Sequence, residues 1–329
     1  MDRVKIGVVI HTKLRDRIFT QEDMARLSRL GDVIWTNSPD PISIEEACAL
    51  LADCEVGVGS WKTPYPNAEL MAACPKLRLW EHVAGTVKHM FGPHLEGRDL
   101  VIASCKTANA DSVAEMTLAE IILGVRRVFE NAAANRAGPA GWPPNLKTLW
   151  ESTVGVVGAS EVGKRVIALL QPFGCPILLY DPYVSKDQAA AMGARLVADL
   201  AELCANSDVV SLHTPDLPET RHIIGAPELR AMRDDAIFIN TARGRCVDEA
   251  ALVAELERGR LFAFLDVTFP EPPAADSPLR RLPNVVYTSH IAGPQSANLG
   301  HQAVNDIAAF LQGGSPTAVV TEDMLGTTA

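Results

Sequence analysis

Arg243, Glu271 and His290 are the side chains of this chain best suited to do chemistry together. They lie in Asn240-Thr241-Ala242-Arg243-Gly244, Asp266-Val267-Thr268-Phe269-Pro270-Glu271-Pro272 and Thr288-Ser289-His290-Ile291-Ala292-Gly293. Each stretch follows an apolar run that reads as a strand. Groups just past the carboxyl ends of parallel strands converge on one crevice. A guanidinium there can fork onto a carboxylate. An imidazolium can give its proton to a carbonyl oxygen, and a neighbouring carboxylate can orient the ring and favour its charged form. The combination suits reduction of a 2-oxo acid, provided that a hydride donor lies beside it.

The stretch 153–181, TVGVVGASEVGKRVIALLQPFGCPILLYD, supplies a place for one. An apolar run at 154–157 reaches a tight turn at Gly158, and Val162, Val166, Leu169 and Leu170 then recur at helical spacing. Gly174 ends the helix, a second apolar run covers 177–180, and the unit closes on Asp181. This is the order of a dinucleotide-binding βαβ unit, in which the helix N-terminus faces a pyrophosphate and the terminal acid holds a ribose hydroxyl. Asp181 lies eighteen residues past Gly163, close to the usual spacing of about 20. One position departs from Gly-x-Gly-x-x-Gly. The chain reads Gly158-Ala159-Ser160-Glu161-Val162-Gly163, and Ser160 brings a Cβ and a hydroxyl to the place of closest pyrophosphate approach.

The elements that position these groups alternate along the chain. Strands are expected at 4–10, 33–36, 56–58 and 77–79, with helices at 22–30, 44–52 and around 68–73. A long helix capped by Asp111 or Ser112 is expected to run to about Val128, with Val113, Met116, Ile121, Val125 and Val128 on its apolar side. A loose stretch rich in Ala, Gly and Pro follows at 132–144. Beyond the dinucleotide unit, strands are expected at 194–197, 209–212, 236–239, 262–265 and 285–288, and an amphipathic helix at 296–311 ends at Gly313-Gly314. Strand–helix alternation implies parallel sheets covered on both faces.

With 329 residues the chain has room for two domains. Its 47% hydrophobic and 21% charged residues describe a globular protein, and a net charge of −10 argues against nucleic-acid or anionic-membrane partners. No apolar run is long enough to span a bilayer, and the N-terminus enters a strand with no signal-peptide pattern. The seven cysteines are scattered and form no CxxC pair, so they read as free thiols of a cytoplasmic protein with no metal site.

The motifs SDVVSLHTPDLPETR (207–221), INTARG (239–244), LDVTFPEPP (265–273) and TSHIAG (288–293) resemble those of the D-isomer-specific 2-hydroxyacid dehydrogenase family. That family includes D-lactate, D-glycerate, D-3-phosphoglycerate, formate and phosphite dehydrogenases, and the resemblance covers nearly the whole chain. It implies an α/β protein of two doubly wound parallel-sheet domains. A Rossmann NAD-binding domain (107–295) would be inserted into a flavodoxin-like substrate domain built from 1–106 and 296–329.

By position, Arg243 matches the arginine for the substrate carboxylate, His290 the acid/base, and Glu271 its partner. Asp266 matches the residue that binds the nicotinamide carboxamide, and Asp181 the ribose acid. The cofactor set implied is Gly158, Ser160, Glu161, Val162, Asp181, His213, Thr214, Pro215, Thr241, Ala242, Asp266, His290 and Gly293. Backbone N–H groups of Val83-Ala84-Gly85-Thr86 would hold the substrate carboxylate. Trp61 and Lys62 would face the rest of the substrate, although Lys62 and His82 also read as plainly solvated residues. The region 111–128 would form a homodimer interface.

The implied activity is NAD-dependent interconversion of a 2-oxo acid and a D-2-hydroxy acid. Corepressor-like relatives that bind NAD(H) without catalysis, and phosphite dehydrogenases, are the alternatives. Glu271 disfavours formate dehydrogenase, which carries glutamine there. The loop Gly59-Ser60-Trp61-Lys62-Thr63 matches no subfamily closely enough to name the substrate.

Overall fold

The computed structural model describes residues 3–143 and 145–326; the expectations that touch residues 1, 2, 144 and 327–329 lie outside them. The chain divides into two compact units, 1–109 with 294–329, and 110–293.

The first unit opens with β1 (Lys5–Val8), α1 (Thr12–Ile18), α2 (Gln21–Leu30) and β2 (Asp32–Trp35). It continues through α3 (Ile44–Leu51), β3 (Val56–Gly59), α4 (Ala68–Ala73), β4 (Leu79–His82) and β5 (Val101–Ser104). The helix starts are written locally: Thr20 and Ser43 cap α2 and α3 in reciprocal boxes with Asp23 and Glu46. The strand order is β5-β4-β3-β1-β2, with parallel neighbours. The order reverses between β1 and β3, which places a ligand crevice at their carboxyl ends.

Three features of this unit depart from the sequence reading. α1 was not expected: TKLRDRI is short and charged, and only Leu14 and Ile18 face the core. β5 and a terminal strand β13 (Val319–Val320) were also missed, and β13 pairs antiparallel with β5. A two-residue strand carries no period to detect.

Helix α5 (Lys106–Val125) starts five residues before Asp111, so neither Asp111 nor Ser112 caps it. The Asp111 carboxylate pairs instead with Arg165. Arg127, in the left-handed region at φ +51°, breaks the helix, and α6 (Val128–Ala137) follows. The first part of the expected loose stretch, 132–137, is therefore helical. Its alanines favour helix until Gly138 ends it.

The second unit continues with β6 (Val154–Val157), α7 (Glu161–Leu170), β7 (Ile177–Tyr180), α8 (Lys186–Ala191), β8 (Arg195–Leu196) and α9 (Leu200–Asn206). Then come β9 (Val209–Leu212), α10 (Ala226–Ala231), β10 (Ala236–Asn240), α11 (Glu249–Glu257), β11 (Leu261–Leu265) and β12 (Val285–Tyr287). α12 (Ala297–Leu311) belongs to the first unit and packs Leu299, Ala303, Val304 and Ile307 into its core. The second sheet is parallel in the order β12-β11-β10-β9-β6-β7-β8. Its central strands are buried along their whole length, which explains their unbroken apolar runs. Its order reverses between β6 and β9.

Candidate active site

The reactive side chains of the second unit all sit just beyond the carboxyl ends of its strands. Gly158 follows β6, Asp181 follows β7, His213 follows β9, and Asp266 follows β11. Arg243 and His290 lie three residues past β10 and β12. β10, β11 and β12 are consecutive neighbours, so the arginine and histidine loops flank the Asp266–Glu271 loop. The contacts are tight. A Cβ at Gly244 would come within 2.1 Å of the Thr268 carbonyl. The Arg245 guanidinium lies 4.2 Å from the centre of the Phe269 ring.

His290 and Glu271 meet directly: Nδ1 of the imidazole lies 2.6 Å from Oε1 of the carboxylate. With Glu271 accepting from Nδ1, the second ring nitrogen is free for another partner. His290 itself holds the left-handed conformation, φ +55°, which costs a side-chain-bearing residue roughly 1–2 kcal/mol. Asp266 stabilises that geometry. Its Oδ1 accepts from Thr288 Oγ1 at 2.6 Å and from Ile291 N at 2.8 Å, and its Oδ2 accepts from Ala292 N at 2.8 Å. The carboxylate expected to meet a carboxamide thus also builds the loop that carries His290.

Arg243 is partly buried. Its Nη1 donates to the Ala242 carbonyl at 2.7 Å, and no acidic side chain pairs with it among the described residues. Asn240 shapes this turn, accepting from Ala242 N at 3.0 Å and donating to the Arg243 carbonyl at 3.1 Å. Thr241 is buried, its hydroxyl 2.9 Å from that of Thr117 on α5.

The residues present fit a dinucleotide. Gly158 has φ +96°, and a Cβ there would lie 3.1 Å from the carbonyl carbon and oxygen of His213, so the turn admits only glycine without strain. Beside it His213 Nδ1 and Thr214 Oγ1 are buried with no hydrogen-bond partner among the described residues. His213 Nε2 lies 2.9 Å from Ser211 Oγ, and burial pushes its pKa down to about 3, so the ring is neutral.

Ser160 resolves the irregular glycine pattern. It is the N-cap of α7, and its hydroxyl accepts from Gly163 N at 3.3 Å. The Ser160 O–H hydrogen remains to donate. Glu161 pairs with Arg165 inside the helix, and Val162 packs against the unit's core. Asp181 accepts from Ala159 N at 2.7 Å and Tyr183 N at 2.8 Å, which ties the acid to the glycine turn. The Pro215 carbonyl accepts from Thr220 Oγ1, and Gly293 is the last residue of the unit.

In the first unit, the expected carboxylate loop needs correction. Val83 N donates to the Gly59 carbonyl at 2.8 Å, continuing the β3–β4 pairing, and Ala84 N donates to the His82 carbonyl at 2.7 Å in a tight three-residue turn, so both donors are taken. Among the described residues Gly85 and Thr86 make no such bond, and they are the N–H groups left for a ligand. Trp61 is partly packed against the core, while Lys62 is exposed, with φ +58°. His82, read as solvated, is buried at the end of β4.

One side chain of note was missed in the sequence reading. Glu120 lies on the buried face of α5, with one carboxylate oxygen unpartnered among the described residues. Burial, and after it the charge of Asp266, raise its pKa to about 8. Its position at helical spacing from Val113 and Thr117 was the available signal.

Residues 118–292 match the family model described as D-isomer specific 2-hydroxyacid dehydrogenase, NAD binding domain. The chain belongs to the D-isomer-specific 2-hydroxyacid dehydrogenase family. Relatives named as D-3-phosphoglycerate dehydrogenases and glyoxylate reductases are oxidoreductases acting on CH–OH groups, and NAD is the cofactor that the family model and the Gly158 turn, Thr214 and Asp181 suit.

A D-3-phosphoglycerate dehydrogenase of Methanocaldococcus jannaschii is 36% identical over 196 residues, covering 59% of this chain and 37% of the relative. A glyoxylate reductase of Thermofilum pendens is 32% identical over 319 residues, 94% of each chain. Against several phosphoglycerate dehydrogenases this chain spans only about half of the relative's length or less. Among solved structures, a protein of Thermus thermophilus superposes with a TM-score of 0.76 at 29% identity, covering 97% of this chain and all of that one. Among the described residues no helix is long and apolar enough to cross a membrane.

Proposed function

We propose that the protein interconverts a 2-oxo acid and the corresponding D-2-hydroxy acid, using NAD. The observation that carries this reading is the 2.6 Å hydrogen bond between His290 and Glu271, on a loop held by Asp266 at the carboxyl edge of a dinucleotide-binding sheet. When bound, the nicotinamide supplies or accepts the hydride.

Everything else falls to side chains of this chain. Arg243, with no acidic partner among the described residues, forks onto the substrate carboxylate. His290, bonded to Glu271 through Nδ1, gives the proton on Nε2 to the keto oxygen in reduction, and takes it back in the reverse direction. Glu271 fixes the ring's orientation and balances its positive charge. Asp181 accepts from the adenosine ribose hydroxyls.

We also propose that two copies pair through the region 111–128 and beyond, where Val128 and Phe129 are exposed on α6. A cytoplasmic location is part of the same reading, supported by seven free cysteines, six of them buried.

The test is the loss of NADH absorbance with a panel of pyruvate, glyoxylate, hydroxypyruvate and branched 2-oxo acids, repeated with His290→Ala. Turnover of at least one acid, abolished in the variant, is expected. No turnover of any, or equal turnover in the variant, would overturn the reading.

A further inference from the structure

Helix α5 carries an ionisable group to the level at which β10 and β11 end, and the reaction just described does not use it. Two contacts fix the helix there. Gly124 packs so closely that a Cβ on it would lie 2.8 Å from Ile237 Cδ1 on β10 and 3.2 Å from Phe264 Cε2 on β11. Two turns earlier Thr117 Oγ1 lies 2.9 Å from Thr241 Oγ1, just past β10. Glu120 stands between these contacts on the same buried face. It is 5% exposed, and its Oε2 has no hydrogen-bond partner among the described residues. Asn240 and Leu265 are register partners, so Thr241 and Asp266 leave the sheet side by side. Glu120 therefore shares this corner with the Asp266 carboxylate, whose charge reaches it. The other charged groups around α5 are committed or solvated. Asp111 pairs with Arg165 of α7, which also holds Glu161, and Glu115 is exposed. The strands β6, β9, β10 and β11 contribute only Val, Ile and Phe to the core they share with α5. His290 and Glu271, on the loop that Asp266 supports, pair with each other.

We propose, resting on the reaction above, that the charge state of Glu120 sets this unit's preference between oxidised and reduced cofactor. With its proton, Glu120 leaves Asp266 as the single negative charge at the corner; without it there are two, and NAD+ is favoured over NADH. Hydride and proton reach adjacent atoms of one carbonyl, so the nicotinamide belongs beside His290. The His290 N–H in turn donates to the Asp266 carbonyl at 2.9 Å, which ties that place to the same corner. The nicotinamide ring is cationic in NAD+ and neutral in NADH, so a buried negative charge distinguishes the two. Burial, and then the charge of Asp266, raise the Glu120 carboxyl to about 8, so its proton exchanges close to neutral pH. The coupling is reciprocal: the cation of NAD+ stabilises the carboxylate and lowers its pKa, and binding then releases a proton to solvent. NADH leaves the proton in place. One added charge at an effective dielectric near 20 corresponds to a change on the order of tenfold in the ratio of the two affinities.

The experiment measures Kd for NAD+ and for NADH by calorimetry at about pH 6 and about pH 9, in the parent and in Glu120→Gln. The ratio Kd(NADH)/Kd(NAD+) should rise roughly tenfold with pH in the parent and much less in Glu120→Gln, which keeps the shape and cannot ionise. His290→Ala, made in both backgrounds, removes the imidazole's own titration and should leave the difference between them. Proton release gives a second reading that needs no substitution at Glu120. Calorimetry of His290→Ala in buffers of different ionisation enthalpy, near pH 8, should show a proton released with NAD+ and none with NADH. A ratio that does not move with pH in the parent, or moves equally in Glu120→Gln, overturns the proposal. Equal proton release with both cofactors does the same. Such a result in a protein that reduces a 2-oxo acid tells against Glu120 alone. A protein that binds NADH and reduces no 2-oxo acid overturns the reaction, and with it the placement of the ring on which the proposal rests.

Discussion

His290 Nδ1 lies 2.6 Å from Glu271 Oε1, and the backbone N–H of His290 donates to the Asp266 carbonyl at 2.9 Å. One carboxylate thus fixes the ring while a second residue fixes the chain that bears it. His290→Ala should lower kcat for reduction by roughly a hundredfold to ten-thousandfold, the range for losing a general acid. Glu271→Gln keeps the shape but replaces a charge-assisted hydrogen bond with a neutral one. A charge-assisted bond is worth about 1.5–3 kcal/mol against about 0.5–1.5 for a neutral one, so the loss of about 1–1.5 kcal/mol corresponds to roughly five- to tenfold in kcat. Steady-state rates at saturating NADH check both, and a Glu271→Gln rate equal to the parent would remove that residue from the site.

Cofactor choice follows from Asp181. Two backbone N–H groups hold its carboxylate beside the glycine turn, where a 2′-phosphate would bring a like charge into contact. At an effective dielectric near 20 the repulsion is on the order of a few kcal/mol, roughly a hundredfold or more in affinity. NADH should therefore exceed NADPH in kcat/KM by about that factor, and Asp181→Ala should narrow the gap. Equal use of both cofactors by the parent protein would contradict the assignment.

The Gly158 turn makes a separate prediction. At φ +96°, with His213 backbone atoms 3.1 Å from any Cβ, Gly158→Ala must either strain the turn or move it. The conformational penalty alone is about 1–2 kcal/mol. Tm should fall and the NADH Kd, read by fluorescence titration, should rise together. A variant that binds NADH as tightly as the parent would show that the turn does not approach the cofactor.

Glu120 makes stability depend on pH. Its folded pKa of about 8 exceeds the ordinary glutamate value of about 4.3, so the folded state keeps a proton that the unfolded chain releases. Stability from this group is complete below about pH 4.3 and falls as pH rises toward 8, by an amount on the order of a few kcal/mol. Glu120→Gln should flatten that slope and raise Tm more at pH 8 than at pH 5. Identical pH profiles of Tm in the two proteins would show that the carboxyl is not held protonated.

Much of this was legible because the chemistry is local in sequence. The glycine turn, the acid eighteen residues beyond Gly163, and the Arg, Glu and His loops each follow an apolar strand. A parallel sheet then delivers strand ends to one edge. What was not legible depends on which partner each group takes once the chain is folded, near or far in sequence. Ser160 looked like a defect in the glycine pattern and is the cap of α7, a role that needs only Gly163 three residues on. Ala84 looked like a carboxylate donor, but its N–H is spent on His82. His82 read as solvated because burial at the end of a strand is set by the neighbouring β3 and β5, whose packing no single segment reveals. β13 was invisible because two residues become a strand only when Ile102 and Ala103 are there to pair with them.

Asp266 separates positioning from proton transfer. Three hydrogen bonds converge on its carboxylate, from Thr288 Oγ1, Ile291 N and Ala292 N, at 2.6–2.8 Å. Asp266 is 1% exposed, so water cannot replace a lost partner. In Asp266→Asn one oxygen becomes an NH2, which meets Ala292 N in the place of Oδ2, or Ile291 N together with the Thr288 hydroxyl in the place of Oδ1, so it faces a backbone N–H either way. If it meets Ala292 N, two donors oppose each other, and a charge-assisted bond worth about 1.5–3 kcal/mol is lost together with the desolvation of an unpaired group. The left-handed backbone of His290 then loses what holds it. The variant should therefore lower Tm and kcat at once, whereas His290→Ala, at a half-exposed position, should lower kcat with little change in Tm. Thermal melts and NADH oxidation on the same preparations check the pattern. An Asp266→Asn protein with unchanged Tm and reduced kcat would place Asp266 with the cofactor instead of with the loop.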